Sequence, residues 1–549
     1  MRKQILCLAL SLCLLVSFGF SVCAAEPTAT GTAAATEATQ APAAGVSASS
    51  DMPTSAFASY TYDCWGNTIE CPNPYSLIRK VDGVALGVGD LKKVIDIYAK
   101  DGFIYLTANG DTEKDNALIK MDEQLNLVSD WRGYYDDGKF VPFSKPCGIF
   151  VTDEGLIYVT DTSTYDIYCF AVEGEGAAAK LNLKKTIHRP STEDSSIIDK
   201  DFVERYIPSK LVVDRTDRVY VVATNVNEGI VTYNDEGKFD GFLAAGKVTI
   251  DPFTKFMKRY VYTEEQKKRI QTFVPINYNN IDLDASGFIY STLAASNEST
   301  VLSEIKAKKG TEQGALVRRL NMMGSDILKR DGYMPPIGDA DIVDTMQNKD
   351  ASYQGLSQIT DVACGDYGTY ALLDNNRNHI FVYNFEGYLL YAFSGPDISA
   401  GGMKTPIALA QSGNCIYALD SNSRSIFLYK RTAFADAVMN AIQLEKDGQY
   451  SAASEVWSKV LDYDATYDLA YLGLGKTAYW RGDYEEAERL FKLCNNKSWY
   501  SKSWSETRKD VLAAWFMPIV MTILGIVVLV FVLKIVKKSK AKKQKEAED

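Results

Sequence analysis

Histidine is nearly missing: the 549-residue chain has two, His188 and His379. A Ser-His-Asp or Cys-His apparatus needs a positioned imidazole, and a zinc site needs His and Cys at ligand spacing. Neither arrangement is legible around these two. His188 follows a lysine pair and precedes Arg-Pro, the setting of an exposed loop, while His379 enters the strand-like run HIFVY, the setting of a structural residue. Cysteine is scarce as well. Of ten, Cys7, Cys13 and Cys23 lie in the leader, leaving Cys64, Cys71, Cys147, Cys169, Cys364, Cys415 and Cys494. An odd, scattered set is not a disulfide scaffold. Cys64 and Cys71, in CWGNTIEC, can close a small disulfide loop outside the cell or stay free, and both readings remain open. The rest read as small apolar core residues. Positive charge is short too. The first 24 residues carry +2 and residues 534–549 carry +4, so 25–533 holds −17 of the overall −11. An acidic body excludes nucleic acid as the partner, because phosphate neutralisation supplies most of that affinity, and it disfavours anionic wall polymers. These absences lead to the expectation of no enzymatic activity and no cofactor.

What the chain does have is repetition. The stretch Asp153 to Phe170, DEGLIYVTDTSTYDIYCF, returns in weaker form at DGFIYLTANG (from Asp101), RTDRVYVVATN (from Arg215), ASGFIYSTLAA (from Ala285), GDYGTYALLDNN (from Gly365) and SGNCIYALDSN (from Ser412). Each copy is a turn, usually with glycine, then a short aromatic and β-branched strand, then a polar corner. Runs such as Leu156 to Val159 are continuously apolar, as strands covered on both faces are. Six units that cannot bury their own faces predict blades stacked around an axis. The irregular spacing of Gly102, Gly155, Gly287, Gly368 and Gly413 predicts insertions. The clearest spans Asp251 to Pro275, with a helix starting at the capping box Thr263 to Gln266; a second spans about Lys329 to Gln354. The segment Tyr60 to Val84 is expected to supply the strand that completes the last blade, around Ile416 to Tyr429.

Phe143 to Phe170, FSKPCGIFVTDEGLIYVTDTSTYDIYCF, resembles an NHL repeat: a Pro-x-Gly-Ile inner strand, a turn, an Ile-Tyr-Val strand, a corner Asp and a third strand. Pro406-Ile407 and Pro275-Ile276 echo it. The resemblance covers roughly residues 60 to 430 and implies a six-bladed propeller. It implies no particular activity, since propellers host many functions.

After Lys430 the periodicity becomes helical. Gly448-Gln-Tyr450-Ser-Ala-Ala453 and Gly482-Asp-Tyr484-Glu-Glu-Ala487 lie 34 residues apart, as do Trp457 and Phe491, and Ala441 and Gly475. The period and these residues resemble tetratricopeptide repeats over roughly 434 to 497, without the usual terminal proline (Ala465 and Trp499 stand there). Two repeats are too few to stand alone, so they are expected to lean on the propeller, a third helix or a partner. Val511 to Leu533 is 23 residues without a charge. At about 1.5 Å per residue it spans roughly 34 Å, enough for a hydrocarbon core of about 30 Å. The seven lysines between Lys534 and Lys545 place the C-terminus in the cytoplasm by the positive-inside rule. Their attraction for anionic headgroups needs no further role.

The resulting organisation is a signal peptide (1–24), an Ala/Thr/Ser/Pro linker (25–57) in which 24 of the 30 residues from Glu26 to Ser55 are Ala, Pro, Thr, Gly or Ser, and an NHL-like β-propeller (58–431). Tetratricopeptide-like repeats (432–500), a juxtamembrane helix (503–510), a transmembrane helix (511–533) and a basic cytoplasmic tail (534–549) follow. The fold class is mainly β, a six-bladed propeller, then a small all-α module and one membrane helix. The expected location is the plasma membrane, single-pass, with the ectodomain outside.

Candidate binding residues are sparse. The run DWRGYYDDG sets Trp131, Tyr134 and Tyr135 beside carboxylates, which suits sugar stacking; it also suits an ordinary tyrosine-rich propeller rim. Asp161, Asp374 and Asp420 recur at equivalent strand ends. They read either as a calcium-holding ring in the funnel, as in propeller lactonases, or as corner carboxylates accepting backbone N–H groups. Recurrence once per blade favours the corner. The function that follows is binding or scaffolding, with the propeller holding an envelope or membrane protein or a glycan and the helical repeats docking a second protein. The alternatives are a metal-dependent lactonase-type hydrolase and an accessory subunit of an envelope transporter or polymer-export complex.

Overall fold

The computed structural model describes residues 59–195, 197–247, 273–274, 276–293, 301, 315–339, 356–397 and 401–545. The expected signal peptide, the linker, the helix of the first insertion and most of the second insertion lie outside them.

Six sheets form a six-bladed propeller. Blade one is β4–β7 (Lys93–Lys100, Phe103–Asn109, Ala117–Asp122, Leu127–Trp131), blade two β10–β13 (Pro146–Val151, Ile157–Asp161, Ile167–Glu173, Lys180–Ile187) and blade three β14–β17 (Ile207–Val213, Val219–Thr224, Ile230–Tyr233, Phe239–Leu243). Blade four shows three strands among the described residues, β20–β22 (Tyr278–Leu283, Ile289–Leu293, Val317–Leu320). Blade five is β23–β26 (Ile359–Cys364, Tyr370–Asp374, His379–Tyr383, Leu389–Phe393), widened by β1 (Tyr60–Tyr62) and β2 (Thr68–Glu70). Blade six combines β27–β29 (Pro406–Ser412, Cys415–Asp420, Ser425–Arg431) with β3 (Tyr75–Asp82). The hairpin β8 (Gly133–Asp136) and β9 (Lys139–Pro142) extends blade two, and β18 (Gly246–Lys247) pairs with β19 (Phe273–Val274).

All six sequence repeats fall on the turn between the first and second strands of a blade. That turn needs a residue of positive φ: Gly155 (78°) and Gly287 (83°) supply it in blades two and four, and Asp217 (60°) in blade three. The wide gap between Gly155 and Gly287 has this source, since aspartate tolerates the left-handed region and stands in between them. The ring closes where expected. β3 pairs antiparallel with β29 from Asp82 opposite Ser425 to Tyr75 opposite Arg431.

Five helices follow blade six. With α1 the short helix Lys200–Arg205, they are α2 (Ala433–Lys446), α3 (Tyr450–Tyr463), α4 (Asp468–Arg481), α5 (Tyr484–Leu493) and α6 (Lys497–Lys545). Ala453 and Ala487 are fully buried. The Trp457 indole fills the space over Gly473 and the Phe491 ring that over Gly475, so close that a Cβ on either glycine would sit 2.3 Å or 2.5 Å from the ring. The module leans on the propeller: one continuous core joins Tyr75, Tyr391, Phe393 and Tyr429 to Phe434, Tyr467, Leu472 and Phe491. Polar ties reinforce it. Tyr467 donates to the Leu390 carbonyl at 2.9 Å, Asn496 to the Tyr388 hydroxyl at 3.0 Å, and the Lys476 ammonium pairs with Glu386. Beside that pair, burial pushes the Glu445 carboxyl up to about 7, opposed by Lys476 and by the Trp457 indole N–H that donates to it. Helix α6 leaves this core and runs unbroken through an apolar stretch whose side chains from Val511 to Val536 are exposed, long and apolar enough to cross a membrane.

Gly473→Ala should lower stability by about 1–3 kcal/mol, read as a fall in the thermal midpoint of the detergent-solubilised chain. At an open helix position the same change would stabilise by about 1 kcal/mol, so a rise would contradict the Trp457–Gly473 contact.

Candidate functional site

Every innermost strand carries a β-bulge near its start, between Val94 and Asp96, Pro146 and Ile149, Pro208 and Lys210, Tyr278 and Asn280, Ile359 and Asp361, and Pro406 and Ala408. A bulge re-aims the residue that follows it. Here it gathers Asp96, Lys210 and Asp361 from blades one, three and five around the axis. The Lys210 ammonium pairs with the Asp96 carboxylate and lies 4.0 Å from Asp361. The carboxylates are tied down in turn: Asp96 accepts the Ile149 N–H at 3.0 Å, and Asp361 the N–H groups of Leu409 at 2.6 Å and Val362 at 2.7 Å. Gly148 leaves room for this, because a Cβ there would come within 2.2 Å of the Ser209 carbonyl. Asp282, one pleat further along blade four, accepts the Cys364 N–H at 2.6 Å.

The electrostatics follow from burial. Desolvation opposes the Lys210 charge, but Asp96 and Asp361 outweigh it and lift its pKa above the ordinary lysine value. Desolvation also raises the Asp361 carboxyl to about 7, with Lys210 pulling it back and Asp96 pushing it further. Asp282 is raised to about 6 by burial, against the N–H groups it accepts. The axis therefore holds one fixed cation and two carboxyls that exchange protons near neutrality. The cavity around them is about 90 Å³, room for a few waters at roughly 30 Å³ each and not for an organic ligand. A wider bowl of about 690 Å³ opens beside it, sharing Tyr98, Ala99, Phe150 and Leu283 and rimmed by Lys100, Asp153, Arg215, Asp217 and Asp284. Phe150, Leu283 and Met322 give it apolar lining within a mixed-charge rim, and among the described residues it offers ligand-sized space beside the axis.

The residues singled out from sequence lie elsewhere. Trp131 and Tyr134 are buried: the Trp131 indole donates to the Ala179 carbonyl at 2.7 Å, and Tyr134 packs against Phe143, Tyr168 and Phe170. Tyr135 meets Phe140 edge-on beneath the Lys180 ammonium. Cys64 and Cys71 are both free thiols here, each pushed up to about 12, chiefly by burial. The recurrent aspartates are corner residues. Asp161 accepts the N–H groups of Lys145, Ser163 and Thr164; Asp374 those of Gln358 and Asn376; and Asp420 those of Lys404, Thr405 and Ser423. His188 is exposed beside Asp166. The Tyr60 hydroxyl donates to Asp339 and lies 3.0 Å from His379 Nδ1, the contact that ties β1 to blade five. Among the described residues no group of three or more His, Cys, Asp or Glu is placed to hold a metal ion. The axial charges were legible only as single charges interrupting apolar strands, as in KVIDIYAK, IPSKLVV and ITDVAC.

No protein-family model matches the chain, and no curated protein does. Solved structures do. Virginiamycin B lyase from Staphylococcus aureus is 11% identical, over 65% of this chain and 99% of the lyase, with a TM-score of 0.32. A luciferin-regenerating enzyme is 8% identical over 65% and 95%, TM-score 0.34. A structural genomics protein of unknown function from Bacteroides thetaiotaomicron is 10% identical over 68% and 76%, TM-score 0.35. These likenesses concern the fold alone. Two of these three propellers are named as enzymes, so the expectation of no enzymatic activity, which rested on the scarcity of histidine, is withdrawn. The physical reason is visible here, since groups on a propeller axis converge from different blades and leave no contiguous motif.

Both raised carboxyls bind protons more readily in the folded than in the unfolded chain, where Asp titrates near ~3.9. Stability therefore falls as pH rises from about 4 to about 7. The drop in thermal midpoint between pH 5 and pH 8 should be smaller in Asp361→Asn than in the native chain. Lys210→Met should cost about 3–5 kcal/mol at pH 8 by stranding Asp96 and Asp361, and less at pH 5. A cost equal at the two pH values would refute the axial ion pairing.

Proposed function

We propose that this chain is a single-pass plasma-membrane protein that holds a partner outside the cell. The propeller would bind an envelope or membrane protein, with a glycan as second candidate, and the helical pairs, read as tetratricopeptide-like repeats, would dock a second protein close to the bilayer. The observation that carries this reading is mechanical: propeller, helical module and α6 share one core, and α6 continues from it into 23 uncharged residues. The burial of Ala453 and Ala487 and the close seats of Trp457 and Phe491 support the repeat reading. The signal-like leader and the lysines after Leu533 support an outward ectodomain. The bowl beside the axis is the binding surface favoured on the propeller.

Protease added to intact cells should remove the portion from about residue 25 to about residue 510 and leave a short membrane fragment. Full protection of that portion would sink the topology. Full-length protein extracted in detergent should bring with it a discrete envelope or membrane protein at constant stoichiometry; recovery of none from repeated extractions would sink the scaffold reading.

A further inference from the structure

Two ends of the helical module expose large aromatic side chains, and α6 decides which end meets the bilayer. α5 and α6 form a hairpin through the turn at Cys494 to Asn496, so the N-terminal end of α5 lies beside the part of α6 that enters the apolar stretch. The Thr507 hydroxyl donates to Glu488 at 2.6 Å, four residues before Val511. At about 1.5 Å per residue, the last tie to the module is only ~6 Å from the first residue of the uncharged run. The α4–α5 turn, with Trp480, Arg481 and Tyr484, is therefore at the end of the module nearest the start of the uncharged run.

Trp480 is 56% exposed, although its neighbours in α4 from Gly475 to Ala478 are buried. It stacks on Tyr450 at 6.0 Å and 16°, which joins the α2–α3 turn to the α4–α5 turn in one aromatic platform. Arg481 is exposed beside it, and Arg508 and Lys509 project from the adjoining turn of α6. Amphipathic rings flanked by mixed charge are what the headgroup zone of a bilayer accommodates, with the ring among the acyl-chain roots and the polar tip in water.

We propose that the Tyr450–Trp480 platform rests in the phospholipid headgroup zone of the same bilayer that α6 crosses. The inference rests on α6 being a membrane span, and it goes further: the module touches the lipid surface through two helix turns beyond the span itself. Trp65, 73% exposed, is the internal comparison. It sits next to Cys64, whose N–H donates to Asp468 at the opposite end of α4, and the platform geometry holds that end away from the lipid.

The test uses the full chain in phosphatidylcholine vesicles containing lipid spin-labelled either at the headgroup or deep in the acyl chain. Subtracting the emission of Trp480→Phe, Trp65→Phe and Trp515→Phe from that of the native chain isolates each indole. Headgroup-labelled lipid should quench Trp480 several-fold more than Trp65. Trp515, inside the span, should be quenched by lipid labels in every case. Trp515 quenched with Trp480 no more quenched than Trp65 would overturn the platform and leave the anchor standing. Trp515 unquenched by either lipid would overturn the anchor itself. Trp480→Phe keeps an aromatic ring over Tyr450 at an exposed site, and far-ultraviolet circular dichroism equal to the native spectrum verifies its fold.

Discussion

The ring stands on one seam. β3 arrives from the N-terminal side and β29 from the C-terminal side, and their ladder from Asp82–Ser425 to Tyr75–Arg431 completes blade six and so closes the ring of six sheets. Each backbone bond there contributes only about 1 kcal/mol net, so the seam also draws on packing: Tyr75 stacks on Phe393 at 4.6 Å and meets Tyr391 edge-on. The chain turns into α2 directly after this ladder. The Thr432 N–H donates to the Pro74 carbonyl at 2.9 Å and its hydroxyl to the Asn73 carbonyl at 2.7 Å, while Arg431 pairs with Asp436 at 3.0 Å. Ring closure and the root of the helical module are thus one structural event.

The axis poses the opposite problem. Taking Lys210, Asp96 and Asp361 out of water costs several kcal/mol per ion, and mutual attraction only balances that where every remaining donor and acceptor is satisfied. Here the balance is reached through backbone N–H groups from neighbouring blades. Asp96 of blade one accepts from Ile149 of blade two, and Asp361 of blade five from Leu409 of blade six. The network fixes the register between blades that apolar packing alone would leave free to slide, and it leaves two carboxyls poised near neutral pH beside an open bowl.

How much of this was legible follows from how each feature is written in the chain. The six blades were legible because their turn, strand and corner recur locally, and so was the closing strand, because SLIRKV precedes the first repeat without a sheet of its own. The 34-residue spacing announced the paired helices through Trp457 and Phe491. The axial cluster was not legible, because Asp96, Lys210 and Asp361 lie 114 and 151 residues apart in sequence and meet only through the bulges. The aromatic run around Trp131 shows the reverse limit. Sequence displays the rings but not their direction, and Trp131 and Tyr134 turn inward against Ala179, Phe143 and Phe170. Scarcity of histidine is a statement about motifs, and it does not exclude chemistry whose groups converge from separate blades, as Asp96, Lys210 and Asp361 do.

If α6 crosses a bilayer as proposed, its unbroken course has a consequence for encounters in the membrane plane. A flexible tether would let the wheel tumble and sample every approach, paying orientation entropy at each binding event. A stiff stalk rooted in the same core removes most of that freedom beforehand. In the proposed membrane setting every copy would present one aspect at one height, and two-dimensional diffusion would deliver the proposed partner already half aligned.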